Sequence, residues 1–230
     1  MVWTALARLV CETQMEDQWT YQPLVSSRDP AFDEFFAIYV ESIPLRERKT
    51  RAQISEIVTR PDYRVLLIKK KNTMILGFSM LFTPAQESFC LLEYMAVHPA
   101  YRNLGLGGQL FLRTFEDFVF HDGTVYGVLE IDSEREPSPD QDIRRRRQRF
   151  YRRLGCLRIA ELSYVLPLSA EDSPPQMDLM VYFPDGVSFL RKAQLRHWLE
   201  VIYNKVYNCS PNDPRIVRMM EPVNDPVKLV

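Results

Sequence analysis

Arg102, Gly105 and Gly107 stand in the spacing R-x-x-G-x-G within HPAYRNLGLGGQL (98–110). The segment lies between a stretch patterned as a strand and one patterned as a helix. Gly105, Gly107 and Gly108 carry no Cβ, so main-chain amides there can approach a ligand closely. The following helix presents its first unpaired N–H groups and its positive dipole end to the same space. Together these features suit an anion, above all a pyrophosphate. A dinucleotide loop would need G-x-G-x-x-G with an acidic ribose partner, and a nucleotide-triphosphate loop would need G-K-[ST]; neither spacing is present. A glycine-rich turn that only joins strand to helix would not call for the arginine at its fixed offset. Two carboxylates stand inside apolar strands, Glu93 in LLEYMAV and Glu130 in VLEID. A carboxylate in such a place is costly unless it is paired or wet. Each is therefore a candidate base or water-holding group, with a salt bridge to an arginine as the structural alternative. Glu130 is favoured slightly, because its strand leads directly into an arginine-rich helix.

The elements that must position these residues follow from periodicity. WTYQPLV (19–25) reads as a strand. Asp29 then caps a helix with Pro30 in first position and Phe32, Phe35, Phe36, Tyr39 and Val40 on its apolar face. Ile43-Pro44 ends that helix, and a second runs near 49–59. Strands follow at 63–70 and 74–84, joined by a turn at Lys71-Asn72, and then at 89–97. An amphipathic helix runs from the glycine loop to about His121. Strand 124–132, an acidic and proline-rich loop (133–142) and a helix over 143–154 come next. Strands 157–167 and 177–184 complete the core. The order predicts an α/β (α+β) fold with a mixed sheet covered by helices. A helix over 188–207, with Phe189, Leu190, Leu195, Trp198, Leu199, Ile202, Tyr203 and Val206 at helical spacing, must pack on something. The domain itself is the expected target, with a homodimer partner or a lid as alternatives. The segment after Cys209 is expected to be irregular, and residues 1–18 to be a loose extension.

The arginine-rich helix, IRRRRQRFYRR, has an apolar stripe at Ile143, Phe150 and Leu154. Most of its arginines are expected on a solvated face with ion pairs of little net value. Arg147 lies on the stripe, so it should reach a buried carboxylate such as Glu130 or Asp132, or an anionic ligand.

The bulk properties narrow the class. The 230 residues suit one α/β domain with appendages, and 46% hydrophobic residues suffice for an ordinary core. A formal charge of -1 and a pI near 6.3 give no field that would favour nucleic acid or a membrane surface. Cys11, Cys90, Cys156 and Cys209 are far apart with no C-x-x-C, and the three histidines are scattered. That pattern argues against a metal site or disulfides and for a reducing cytoplasm.

LLEYMAVHPAYRNLGLGGQLF resembles motif A of the GNAT superfamily of N-acetyltransferases. RFYRRLGC (149–156) resembles its motif B, with Cys156 where the family usually has Phe. The element order over 19–184 matches the family's fold. LEID…RRRRQRFYRRLG resembles a poorly characterised bacterial subgroup. The resemblance implies a mostly antiparallel seven-stranded sheet and acetyl-CoA as co-substrate. It implies an amine acceptor, as a small molecule or a peptide. The backbone amides of Arg102, Asn103, Leu104, Gly105, Leu106, Gly107 and Gly108 would hold the CoA pyrophosphate. Met95, Ala96 and Val97 would offer backbone groups to the pantetheine arm, a pairing that an exposed strand edge can make. Tyr151 occupies the position of the family's thiol-protonating tyrosine, with a core role as the alternative. The base or water-holding carboxylate would be Glu130 or Glu93. Arg144 stands where the family usually has an asparagine that contacts pantetheine, so that contact is not carried over.

Overall fold

The computed structural model describes residues 19–70, 74–118, 126–135, 137–167, 176–183 and 189–230. The expected extension over 1–18, the Lys71-Asn72 turn and the end of the helix near His121 lie outside them. The chain forms two compact units, Met1–Leu81 with Tyr94–Phe118, and Phe82–Glu93 with Val119–Val230.

In the first unit, β1 (Trp19–Pro23) pairs antiparallel with β2 (Tyr63–Lys70), from Trp19↔Lys70 to Pro23↔Leu66. β3 (Met74–Phe82) and then β4 (Phe89–Val97) follow in sheet order. The His98 N–H donates to the Leu76 oxygen at 2.8 Å. Gly77 explains how closely β3 and β4 run: a Cβ there would lie 2.5 Å from the Ala96 carbonyl oxygen. Helix α1 (Ala31–Ser42) buries Phe32, Phe35, Ile38 and Tyr39, while Phe36 and Val40 are half-buried. Phe35 stands edge-on to Phe78 at 4.9 Å, and Tyr39 to Tyr94 at 5.2 Å. The helix starts one residue later than expected, at Ala31, whose N–H donates to Asp29 Oδ1 at 2.8 Å. Asp29 therefore still serves its first turn. α2 (Arg51–Ile57) opens on a capping box between Thr50 and Gln53. α3 (Leu106–Phe118) drives Leu106 and Leu110 into a cluster with Leu66, Ile68 and Leu76. Met95 and Val97 pack against that cluster.

In the second unit, β4 pairs parallel with β5 (Tyr126–Asp132) over Phe89–Leu92 and Tyr126–Leu129. β5 pairs antiparallel with β8 (Gln176–Tyr182) from Gly127↔Tyr182 to Asp132↔Met177. The strand expected over 157–167 is two short ones, β6 (Leu157–Arg158) and β7 (Tyr164–Val165), both antiparallel to β8. Between them Glu161 takes a left-handed φ of 63°, a conformation that stops a strand. The described residues therefore hold eight strands where seven were expected. The fold class is α/β, with a mixed, mostly antiparallel set of strands flanked by helices.

The rest of this unit is helical. α4 (Gln141–Arg153) covers β5. α5 (Lys192–Lys205) buries Leu195, Trp198, Leu199, Ile202 and Tyr203, each worth roughly 1.5–3 kcal/mol. Contrary to expectation, the tail is not irregular. It forms α6 (Pro214–Met220), capped by the Asp213 carboxylate, and an extended end. Arg158 and Val230 exchange both backbone hydrogen bonds, and the Ala160 N–H donates to the Lys228 oxygen at 2.8 Å. Cys90, Cys156 and Cys209 are free thiols. Among the described residues no helix is long and apolar enough to cross a membrane.

Candidate active site

The glycine loop begins where Pro99 stops β4 and starts a 3₁₀ turn, Pro99–Tyr101. His98 Nδ1 accepts from the Ala100 N–H at 3.2 Å. The Arg102 N–H closes the turn onto the Pro99 oxygen at 3.4 Å. Arg102 Nε donates to the Val97 oxygen at 3.1 Å. Arg102 thus fixes the end of β4 with its side chain, and its own amide is engaged, which removes it from the amides expected to face a phosphate. Asn103 and Gly105 then take φ values of 65° and 79°. Left-handed residues set into such a loop turn neighbouring N–H groups towards one concave side, an arrangement that binds anions. The Gly105 oxygen accepts from the Gly108 N–H at 3.1 Å and the Gln109 N–H at 3.3 Å, which starts α3. Residues 102–105 are exposed, while Leu106 is buried and anchors the turn. The loop therefore offers the amides of Asn103 to Gly107 at the positive end of a thirteen-residue helix.

β4 is buried over Phe89 to Leu92 and half-buried from Glu93 to Val97. Met95 and Val97 point into the α3 cluster. Tyr94 donates its hydroxyl to the Glu47 oxygen at 2.9 Å, and the Lys49 ammonium lies 5.5 Å from its ring centre.

The carboxylate candidates lie in the second unit. Leu92↔Leu129 is the last rung of the parallel ladder between β4 and β5. Glu93 and Glu130 are the next residues on each strand, and both are half-buried. Arg147 pairs with Asp132 at 2.6 Å, and two phenols bind Glu130. Tyr164 donates its hydroxyl to Glu130 Oε1. Tyr207 donates to Glu130 Oε2 at 2.5 Å. Burial, and then the Glu130 charge, push both phenols well above their ordinary range, and Glu93 adds to the effect on Tyr207. Tyr203 beside them donates to the Val165 oxygen.

Sequence reasoning missed Tyr164 and Tyr207. The signal was present: a buried phenol needs an acceptor, and a carboxylate within a strand needs donors.

Tyr151 is buried on α4, edge-on to Phe150 at 5.0 Å. Burial raises its pKa, and the Arg147 charge opposes part of the rise. The inward face of α4 corrects the sequence reading. It is Arg144, Gln148 and Tyr151 that are buried, whereas Ile143 is exposed. The reason is the pair of buried carboxylates below. Asp178 accepts from Arg135 Nη2 at 2.7 Å and from Gln148 Nε2 at 3.0 Å. Gln148 Nε2 also donates to the Asp132 oxygen at 3.2 Å. Arg144 is held by Asp140 at 3.0 Å and donates Nη1 to the Ser133 oxygen at 3.4 Å. Among the described residues no group of three or more His, Cys, Asp or Glu side chains could hold a metal ion.

A model of the acetyltransferase (GNAT) family matches residues 28–156, more than half of the chain. The chain belongs to the GNAT acetyltransferase family. GNAT enzymes use acetyl-CoA as acyl donor, and the amide-lined loop at the start of α3 fits its pyrophosphate. A Bacteroides thetaiotaomicron protein assigned to the GNAT family as an acetyltransferase is similar over 83% of this chain and 99% of its own. It shares 22% identity at a TM-score of 0.67. The ribosomal-protein-S18-alanine N-acetyltransferase of Escherichia coli covers 74% of this chain and 96% of its own, with 16% identity and a TM-score of 0.52. ElaA of Escherichia coli covers 71% and 98%, with 17% identity and a TM-score of 0.50. At these identities the likeness concerns the GNAT fold. No curated relative matches the chain.

Proposed function

We propose that the protein transfers an acetyl group from acetyl-CoA directly to an amine. The observation that carries this reading is the loop after β4. Its two left-handed residues and free helical amides are built for a pyrophosphate, within a chain that belongs to an acetyltransferase family. The backbone of Met95, Ala96 and Val97 would receive the pantetheine arm, and the amides of Asn103 to Gly107 the pyrophosphate; the Gly108 amide, bound to the Gly105 oxygen, is not counted among them.

In the reaction the amine nitrogen attacks the thioester carbonyl carbon, and a tetrahedral intermediate forms. It collapses with cleavage of the C–S bond, giving amide and CoA thiolate. One proton must leave the nitrogen and one must reach the sulfur. Tyr151 supplies the second. Its raised pKa keeps the phenol protonated at neutral pH, so the proton is present whenever the thiolate develops. Glu130 takes part in the first. Two phenolic donors favour its ionised form, which suits an anion that attracts an ammonium and orients a water to receive the proton. Glu93, adjacent to the same end of the ladder, is the alternative base.

The test is thiol release from acetyl-CoA across a panel of polyamines, aminoglycosides, amino acids and peptides. Turnover with at least one amine, and its suppression at low pH in Glu130→Gln more than in Glu93→Gln, is the expected outcome. CoA binding without turnover on any amine would favour an inactive CoA-binding regulator. A low-pH loss in Glu93→Gln alone would move the base to Glu93.

A further inference from the structure

One of the two phenols on Glu130, Tyr207, comes from the turn that closes α5. α5 is anchored on the two strands that carry the carboxylates. Trp198 packs on Phe89 of β4 at 5.3 Å and on Tyr126 of β5 at 4.9 Å between ring centres. Gln194 Nε2 reaches Ser88 Oγ at 3.3 Å, and His197 Nε2 lies 2.9 Å from Glu87. From Trp198 to Tyr207 a helix advances about 13.5 Å. From Tyr126 to Glu130 a strand advances about 13 Å. The matched lengths let the helix that passes Tyr126 at Trp198 bring the turn holding Tyr207 to Glu130. The chain then closes at once. Asn208 takes a φ of 56°, the Cys209 N–H donates to the Tyr203 oxygen at 2.8 Å, and Asn204 Nδ2 donates to the Cys209 oxygen at 3.1 Å.

Three tyrosines meet here, and they do not behave alike. Tyr203 satisfies its hydroxyl on a backbone carbonyl, that of Val165. Satisfying a buried hydroxyl needs nothing more. Tyr164 and Tyr207 instead spend theirs on the two oxygens of one carboxylate. Two donors from different elements fix the plane of that carboxylate as well as its charge. Tyr164, Tyr203 and Tyr207 all feel its charge, and Glu93 acts on Tyr207 as well. Behind Tyr203 lie Cys209 and the Arg215–Asp213 pair, whose charges offset each other at 2.7 Å.

We propose that Tyr207 is a positioning residue for acyl transfer, acting through Glu130, so that the segment closing α5 is part of the acceptor machinery. The inference rests on the proposed transferase reading for its catalytic meaning, but Tyr207's hold on Glu130 is measurable without turnover. Tyr207→Phe keeps the ring and removes one donor to the ionised carboxylate, which raises the carboxyl pKa.

Two readouts test it. The first is the Glu130 carboxyl titration, followed by ¹³C NMR on glutamate-labelled protein and assigned with Glu130→Gln. It should move up by roughly one pH unit in Tyr207→Phe. The second is the acidic limb of kcat/KM for the acceptor. It should move up by a similar amount, with a loss of roughly tenfold below the limb and the KM for acetyl-CoA unchanged within twofold. An unmoved NMR titration overturns the inference whatever the activity. A moved titration with an unmoved acidic limb overturns the positioning role, leaving a purely structural hydrogen bond. A moved titration in a protein that turns over no amine overturns the transferase reading and leaves the hold on Glu130 standing. Should Tyr207→Phe fail to fold, 3-fluorotyrosine at 207 gives the converse test. This donor is stronger and of nearly the same shape, so the Glu130 titration should move down, and an unchanged titration overturns the inference.

Discussion

Gly77→Ala tests how β3 and β4 are held together beneath the proposed pantetheine edge. A Cβ at 77 would stand 2.5 Å from the Ala96 oxygen, 3.1 Å from the Val97 Cα and 3.4 Å from the Ala96 carbonyl carbon. All three are backbone atoms, so no side chain can rotate away. Ordinary contact begins near 3.4 Å against the 2.5 Å found, so relieving the contact fully means a separation greater by 0.9 Å. The His98 N–H to Leu76 oxygen bond, now 2.8 Å, lies in the path of that movement. Overpacking of this kind costs about 1–3 kcal/mol, and weakening one ladder bond adds about 0.5–1.5 kcal/mol. Alanine gives back about 0.4–1 kcal/mol by restricting the unfolded chain. The expected net loss is about 1–3 kcal/mol. Urea unfolding should show a lower midpoint at unchanged slope, and calorimetry should show weaker acetyl-CoA binding, because Ala96 and Val97 move. A midpoint equal to or above that of the wild type would refute the close approach. A lower midpoint with unaltered CoA affinity would refute the part given to Ala96 and Val97.

Tyr151→Phe retains the packing against Phe150 and should lower turnover roughly 10²- to 10⁴-fold in a thiol-release assay, with CoA affinity nearly constant; full turnover would return Tyr151 to a core role. Stability should fall steeply in alkali. Tyr151, Tyr164, Tyr203 and Tyr207 are all neutral in the fold, with pKa values raised mainly by burial. The Cys156 thiol is pushed up to about 12. A group whose folded pKa exceeds its unfolded value stabilises the protein fully below the unfolded value and loses that contribution as pH rises. Above about pH 10 each tyrosine removes roughly 1.4 kcal/mol per pH unit. Four together should collapse the melting temperature between pH 10 and 11, and a flat profile there would contradict their burial as neutral phenols.

The strand–loop–helix unit at 89–118 was legible because its signals are local. Alternation gives way to glycines and then to helical spacing within a few residues, and Pro99 marks the boundary. The break at Glu161 was not legible, since a left-handed glutamate flanked by buried Ala160 and Leu162 looks like strand. The extended end at Lys228–Val230 was hidden because its partners, Arg158 to Ala160, are remote in sequence. α4 misled for a different reason. The usual rule that apolar residues face inward is inverted where a helix covers two buried carboxylates, Asp132 and Asp178. The pairing of Arg147 with Asp132 was among the expected outcomes, because an arginine on a helix stripe needs an anion. Glu130 was recognised as needing donors, yet Tyr164 and Tyr207 come from distant segments, so the sequence showed the need without showing which phenols meet it.

The central claim is that the loop from Asn103 to Gly107 holds the phosphates of acetyl-CoA, and Gly107→Glu tests it most directly. The exchange places a negative side chain in the first turn of α3, where the free amides lie. Isothermal titration with acetyl-CoA, on a variant whose circular dichroism and melting match the wild type, should show affinity lowered by at least a hundredfold. Arg102→Ala should lose less, since the amides remain. A folded Gly107→Glu protein that binds acetyl-CoA as tightly as the wild type would contradict the account.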